Sequence, residues 1–304
     1  MIYLRQKNAR LSNNYRIIAE TFMEQDNLDK ALQYFEKSKN YAGAYQDLDM
    51  LLDMAFIHFE KDDFSASQAL FEDILTLHPY EARAYFGLGI VYEETDALQE
   101  AIQAFEKAIE YDPHYQQAYF FLAGVYQSLD DFRNSEHYYK SAMKLDPTDL
   151  WTLINLGSLY EEHDLNTKAE RLFKKAFKLQ PNHPTVTFNL GVVYGKLDQF
   201  EKSKKYYMAS LEQDPFNPYT YLNLAVLHKN VEAYDQAFFW LSQGIENIPE
   251  EGFLHYNRSC VALMMGNKKQ AILDVKTACQ LNPFFKEELK KDEDLAPIRN
   301  YLIK

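Results

Sequence analysis

Residues 82–113 read ARAYFGLGIVYEETDALQEAIQAFEKAIEYDP. Two apolar stripes run through this stretch at spacings of three and four: Tyr85, Leu88, Gly89 and Tyr92, then Ala101, Phe105 and Ala108. On a helix of 3.6 residues per turn each set falls on one face, so the segment is two amphipathic helices whose faces pack together. Pro113 cannot continue the second helix and closes the unit.

The pattern recurs. Seven of the ten prolines stand at Pro79, Pro113, Pro147, Pro181, Pro215, Pro249 and Pro283, each 34 residues from the next. A fixed period of this size marks stacked units, none of which can bury its apolar face alone. With Ala82 as position 1, the same frame gives Tyr119, Leu122, Ala123, Tyr126, Tyr139 and Ala142, then Leu153, Leu156, Gly157, Tyr160, Ala169, Phe173 and Ala176. Small residues at positions 8 and 20 (Gly89, Ala101, Gly157, Ala169, Gly191, Ala237) let paired helices approach, and Tyr or Phe at 11 and 24 fills the remaining space. The polar turns Asp26-Asn27, Asp62-Asp63, Asp130-Asp131 and Gly266-Asn267 offer side chains that accept from the first free amides of the second helix.

Residues at positions 4, 7, 8, 11, 20, 24, 27 and 32 resemble the tetratricopeptide repeat (TPR) consensus in three consecutive units. The resemblance implies an all-α solenoid of helical hairpins wound as a right-handed superhelix, and a protein–protein interaction scaffold. In general look the chain resembles bacterial cytosolic TPR proteins. Extending the frame predicts eight repeats over 12–285, beginning near 12, 48, 82, 116, 150, 184, 218 and 252, with two extra residues in the first. The first carries Gly43 where proline is expected, and the last carries His255 and Arg258 at positions 4 and 7. Residues 286–304 read as a capping helix interrupted near Pro297, with Leu289, Leu295, Ile298, Tyr301 and Leu302 on its apolar side. Residues 1–11 are too short for a hairpin and read as an N-terminal segment or partial cap formed by Tyr3 and Leu4, unless structure lies upstream.

Composition agrees with a folded helical chain. Hydrophobic residues make up 47%, with 23 Tyr and 21 Phe, and only ten Gly are present. A formal charge of −13 repels phosphate backbones and anionic lipid, and the sequence shows no local basic face, so neither nucleic acid nor membrane is expected as a partner. No run has the length and apolarity of a membrane span, and Arg5, Lys7 and Arg10 precede no apolar export core. Two cysteines, Cys260 and Cys279, are too few for a disulfide framework, which points to the cytoplasm.

In TPR proteins the first helix of each hairpin lines the concave groove, and the resemblance carries that role to positions 2, 5, 6, 9, 12 and 13. Position 6 holds Asn155, Asn189, Asn223 and Asn257, each able to donate and accept a hydrogen bond as a peptide group does. If units advance by about 10 Å, an extended chain rising about 3.3 Å per residue meets one Asn at roughly every third residue. The row resembles the asparagine ladders of peptide-holding TPR superhelices; Asn at this position is also common in the generic consensus, so the row stands either as a ladder or as a family default. Around it, Trp151, Ile154, Phe188, Val192, Tyr219, Leu222, Val226, Phe253 and Tyr256 are an expected apolar lining, or else core between adjacent helices. In the N-terminal half, Phe56, Phe59, Phe86, Phe120 and Phe121 fall among Asp49, Asp53, Glu60, Glu93 and Glu94, which suits an apolar ligand with basic residues; solvating charge is the alternative.

Catalytic, cofactor and metal motifs are not found. Gly87 and Gly89 lack the third glycine and preceding strand of a dinucleotide loop, His58 and His228 occupy the packing position 11, and no His or Asp is placed around Cys260 in a way that would recommend a nucleophile. The Lys and Asn set by which some TPR domains clamp a chaperone carboxylate is also missing, since position 9 holds Glu20, Phe56, Ile90, Gly124, Ser158, Val192, Val226 and Cys260. The expected function is non-enzymatic: a scaffold that holds an extended segment of an unidentified protein or peptide. The alternatives are a self-assembling TPR protein, with a homo-oligomer as product, and the sensor part of a larger regulator.

Overall fold

A computed structural model of the chain describes residues 2–41 and 47–299. Among these residues, helices follow one another with no strand, and the chain divides into two compact units, Met1–Pro147 and Thr148–Lys304. The first unit holds α1 (Ile2–Glu24), α2 (Leu28–Lys39), α3 (Leu48–Glu60), α4 (Phe64–Leu77), α5 (Ala82–Glu94), α6 (Leu98–Tyr111), α7 (Gln116–Ser128) and α8 (Phe132–Leu145). The second holds α9 (Leu150–Glu162), α10 (Asn166–Leu179), α11 (Pro184–Lys196), α12 (Phe200–Gln213), α13 (Pro218–Lys229), α14 (Tyr234–Asn247), α15 (Gly252–Met264) and α16 (Lys268–Leu281), followed by the short α17 (Phe284–Lys291) and α18 (Ala296–Arg299). Odd-numbered helices from α1 to α15 are the first members of the hairpins, called A helices below, and their partners are B helices.

Every A helix ends in the same way. The Asn27 amide donates to the Phe22 carbonyl at 2.8 Å and the Asp26 amide to Met23 at 2.9 Å, and this pair of bonds recurs as far as Asn267 to Ala262 and Gly266 to Leu263. It caps the last free carbonyls and demands a left-handed residue in between. Asp26, Asp62, Asp96, Asp130, Asp164 and Asp198 take that conformation at φ of 55–59°, Glu232 at 59° and Gly266 at 75°. The next residue opens the B helix. Asn27, Asp63, Asp131 and Asn267 accept from the amide three residues on, as their side chains predict, whereas Ala97, Leu165, Gln199 and Ala233 supply no side-chain cap. A side-chain cap contributes about 1 kcal/mol, so half of the hairpins rely on packing for that increment.

Packing follows the periodic positions. Ala31, Ala101, Ala169, Ala237 and Ala271 at position 20 are fully buried, as are Phe71, Phe105 and Phe173 at position 24. A methyl group built on Gly89 would come within 2.4 Å of the Phe105 ring, so this glycine is what lets α5 and α6 close on each other. Position 4 ties three repeats to the ones before them: Tyr85, Tyr119 and Tyr221 donate their hydroxyls to the carbonyls of Pro79, Pro113 and Pro215.

The ends depart from the regular unit. Residues 2–11 do not fold back; they continue α1, which reaches Glu24 without a break, and the side chains of Tyr3 and Leu4 lie outside what the structure describes. Gly43 lies outside the described residues. In the last repeat His255 keeps the position-4 bond, donating Nε2 to the Pro249 carbonyl at 3.2 Å. Arg258, in place of leucine, reaches Asp274 with Nε at 2.9 Å and Nη2 at 2.7 Å. Burial alone would push the Asp274 carboxyl up, but the His255 ring, its Nδ1 3.7 Å away, and the two hydrogen bonds from the Arg258 guanidinium outweigh it and hold the group below the usual carboxylate range. Leu289, Leu295 and Ile298 of the terminal segment are buried against Ala271, Val275 and Ala278, while Tyr301 and Leu302 lie outside the described residues. The interruption of this segment spans Asp292 to Leu295, and Pro297 sits in the first turn of α18, where its missing amide costs no hydrogen bond.

Candidate functional site

In the second unit, consecutive A helices touch one another, and position 6 comes near position 9 of the repeat before at Asn189 with Ser158 and at Asn257 with Val226. Asn155, Asn189, Asn223 and Asn257 are all half-buried on α9, α11, α13 and α15. Asn189 Nδ2 reaches Ser158 Oγ at 3.5 Å, and Asn257 Nδ2 donates to the Phe253 carbonyl of its own helix at 2.8 Å. The amides of Asn155 and Asn223 make no side-chain hydrogen bond with any described residue, which leaves their donors and acceptors open.

The aromatic lining divides into open and closed members. Trp151 is 53% exposed, its ring edge-on to His183, and Tyr219 is 58% exposed and stacked on Phe253 at 5.3 Å. Phe188, half-buried, leans on Tyr207; Val192 and Leu222 are half-buried and Val226 is exposed. Two expected groove residues are not available. Ile154 is core, and Tyr256 is 9% exposed, stacked on Phe285 of α17 with its hydroxyl donating to Asp292 at 2.8 Å. The terminal segment therefore covers Tyr256, which period alone places on an open face.

The same segment corrects the reading of Cys260. A cavity of about 150 Å³ beside this thiol is lined by Asn257, Leu222 and Lys229, and by Asp292 and Asp294 as well, so acidic groups do surround it. Burial, with Asp292 and Asp294 adding to it, pushes the thiol up to about 12, which keeps it protonated and a poor nucleophile.

The first unit gathers the N-terminal phenylalanines differently from a continuous surface. Phe56, Phe59 and Glu60 of α3 meet Phe86 and Ile90 of α5 around a pocket of about 460 Å³. Phe121 of α7 closes one side, its ring 5.4 Å from that of Phe86, and Glu93 and Glu94 stand beside it. Burial, then the neighbouring Glu94, raises the Glu93 carboxyl to about 7. Phe120, Asp49 and Asp53 stay outside this pocket: Phe120 packs edge-on to Tyr139, and Asp49 pairs with Arg83 at 2.8 Å. Asp53 is raised to about 6 by burial and then by Glu20, Asp49 and Asp47. In this unit position 6 carries no ladder: it holds Ile17, Asp53, Gly87 and Phe121, and at Gly87 a methyl group would meet the Phe71 ring at 2.1 Å.

A local basic face exists after all. Arg171, Lys174, Lys175 and Lys178 of α10 line a shallow depression with Phe177. The chain's overall acidity conceals this helix, although the run of basic residues in 168–178 was the signal that could have revealed it. Part of the charge is engaged, since Lys174 pairs with Glu170 at 2.6 Å and Lys168 lies over the Tyr160 ring. Of the packing histidines, His228 is buried edge-on to Phe200 and its pKa is lowered by burial, while His58 bonds Asp63 at 3.0 Å. Among the described residues no cluster of His, Cys, Asp or Glu is arranged to hold a metal ion, and no helix is long and apolar enough to cross a membrane.

Models described as tetratricopeptide repeat match residues 52–115, 116–149, 152–183 and 186–217, together more than half of the chain. The chain belongs to the tetratricopeptide repeat family. TPR repeats make it a protein–protein interaction scaffold, and proteins built of them are in general not enzymes. Solved TPR structures share the fold. A tetratricopeptide repeat protein from Parabacteroides merdae is 18% identical with a TM-score of 0.63, covering 81% of this chain and 98% of its own. PilF of Pseudomonas aeruginosa is 22% identical with a TM-score of 0.57, covering 69% and 97%. PilW, a type IV pilus biogenesis factor, is 19% identical with a TM-score of 0.61, covering 71% and 97%. No curated protein matches the sequence significantly.

Proposed function

We propose that the A-helix face of the second unit holds an extended, partly apolar segment of a partner protein, with Asn155, Asn189, Asn223 and Asn257 bonded to its backbone, in a cytoplasmic scaffold. The observation that carries this reading is the pair of amides on Asn155 and Asn223, which have no hydrogen-bond partner among the described residues while exposed Trp151 and Tyr219 stand on the same helices. An amide that both donates and accepts satisfies a peptide group without reading its side chain, so the grip is tolerant of sequence. Trp151, Tyr219, Phe188 and Val226 then add apolar contact where the segment has a bulky residue.

The test replaces Asn155 and Asn223 with Ala together and measures binding of a peptide selected on the wild-type chain. Each lost hydrogen bond removes about 1 kcal/mol, so the double variant binds about tenfold or more weakly with an unchanged circular dichroism spectrum. Methylating single backbone amides of the peptide should weaken binding at roughly every third residue, the spacing at which an extended strand meets the row. Equal affinity for the double variant and no periodic sensitivity to methylation would remove the ladder.

A further inference from the structure

We propose that the phenylalanine pocket of the first unit is a second, separate binding site, taking a partner segment in which a lysine or arginine is flanked by apolar side chains. Three successive A helices supply its walls, so the site depends on the stacking of repeats and not on any one of them. Its buried part is apolar: Phe86 and Ile90 are core residues, and Phe56 and Phe121 are half-buried beside them. At about 460 Å³ it falls within the size range of sites that enclose a ligand group.

Charge selects the occupant. Glu60 and Glu94 are exposed at the margin, and Glu93 lies half-buried between them and the rings. None of the three has an ion pair among the described residues, and no basic side chain lines the pocket. A cation entering here meets three carboxylates and the faces of phenyl rings, both of which attract it. The aliphatic stem of Lys or Arg covers the apolar wall while its head group stays with the carboxylates. An acidic or phosphorylated ligand meets like charge instead. A purely apolar one leaves Glu93 desolvated without a counter-charge, the condition already visible in its rise to about 7. The site therefore differs in kind from the asparagine row of the second unit, reading side-chain charge where that row reads backbone.

The experiment selects random dodecapeptides by display on the full chain, synthesises the most enriched one, and measures its affinity for wild type, E93K/E94K and N155A/N223A. Peptides with Lys or Arg beside apolar residues should be enriched, and the synthetic peptide should bind E93K/E94K at least tenfold more weakly and N155A/N223A as well as wild type. If E93K/E94K loses its helical spectrum, E93Q/E94Q makes the same comparison, since it removes the charge at nearly constant shape. Enrichment of only acidic or uncharged peptides, no enrichment at all, or a basic peptide indifferent to both glutamate variants would overturn the proposal. So would self-association of the wild type on sedimentation that either glutamate variant abolishes, because the occupant would then be a second copy of the chain.

Discussion

Glycine in this chain acts in opposite senses depending on what faces it. A methyl group at Gly157 would stand 2.6 Å from the Phe173 ring, whereas at Gly124 the nearest atom is the Tyr139 hydroxyl at 3.8 Å. Both lie inside A helices, where Ala is favoured over Gly by about 1 kcal/mol. Gly124→Ala should therefore raise stability by up to about 1 kcal/mol. Gly157→Ala should lower it by about 1–3 kcal/mol, because Phe173 is fully buried and has nowhere to move. Urea unfolding of the two variants checks this, and the same sign for both would contradict the packing described. The position-8 glycines were legible as close-packing sites from spacing alone. The left-handed aspartates were not, since the sequence shows a polar turn but not which of its residues carries the positive φ and which caps the helix.

At the scale of the element, α15 and α16 solve the final hairpin with charge where its siblings use leucine, or isoleucine and methionine in the first two. Arg258 is held by Asp274, by Ser242 Oγ at 3.1 Å and over the Phe238 ring at 5.4 Å, and Asp274, 1% exposed, also accepts from Gln270 at 3.0 Å. Removing one partner of a buried pair leaves the other uncompensated, so Asp274→Ala should cost about 3–5 kcal/mol. Replacing both, Arg258→Leu with Asp274→Leu, restores the leucine found at position 7 of the five repeats before it and should cost far less. Thermal melts of both variants settle it, and equal losses would mean that the pair contributes through more than mutual charge compensation. The sequence marked both His255 and Arg258 as departures without giving the reason, because Asp274 lies sixteen residues from Arg258 on the partner helix and meets it only when the hairpin closes.

At the largest scale, within each unit a hairpin packs on the hairpins beside it, so the period itself is the unit of tolerance. Excising 184–217, one full period, brings His183 directly before Pro218 and keeps an A helix that starts with proline. That chain should fold with its helicity per residue retained and a modestly lower melting temperature, and should lose one step of peptide contact with Asn189. Excising 184–213 breaks the frame and should not give a cooperative melt. Circular dichroism melts of the two distinguish them, and similar behaviour would deny that register governs the fold.

The sequence by itself determined the helical hairpins, their 34-residue frame and the positions that pack, because these follow from local periodicity and the conformational limits of Pro and Gly. It also placed four asparagines on equivalent positions of successive helices. Tertiary structure alone decided which of the surrounding residues stay open. Tyr256 is sealed by Phe285 and Asp292, Gly87 is filled against by Phe71, and the phenylalanines of three helices close into one pocket. Exposure is a property of what packs on a side chain from elsewhere in the chain, and a one-dimensional period carries no record of that.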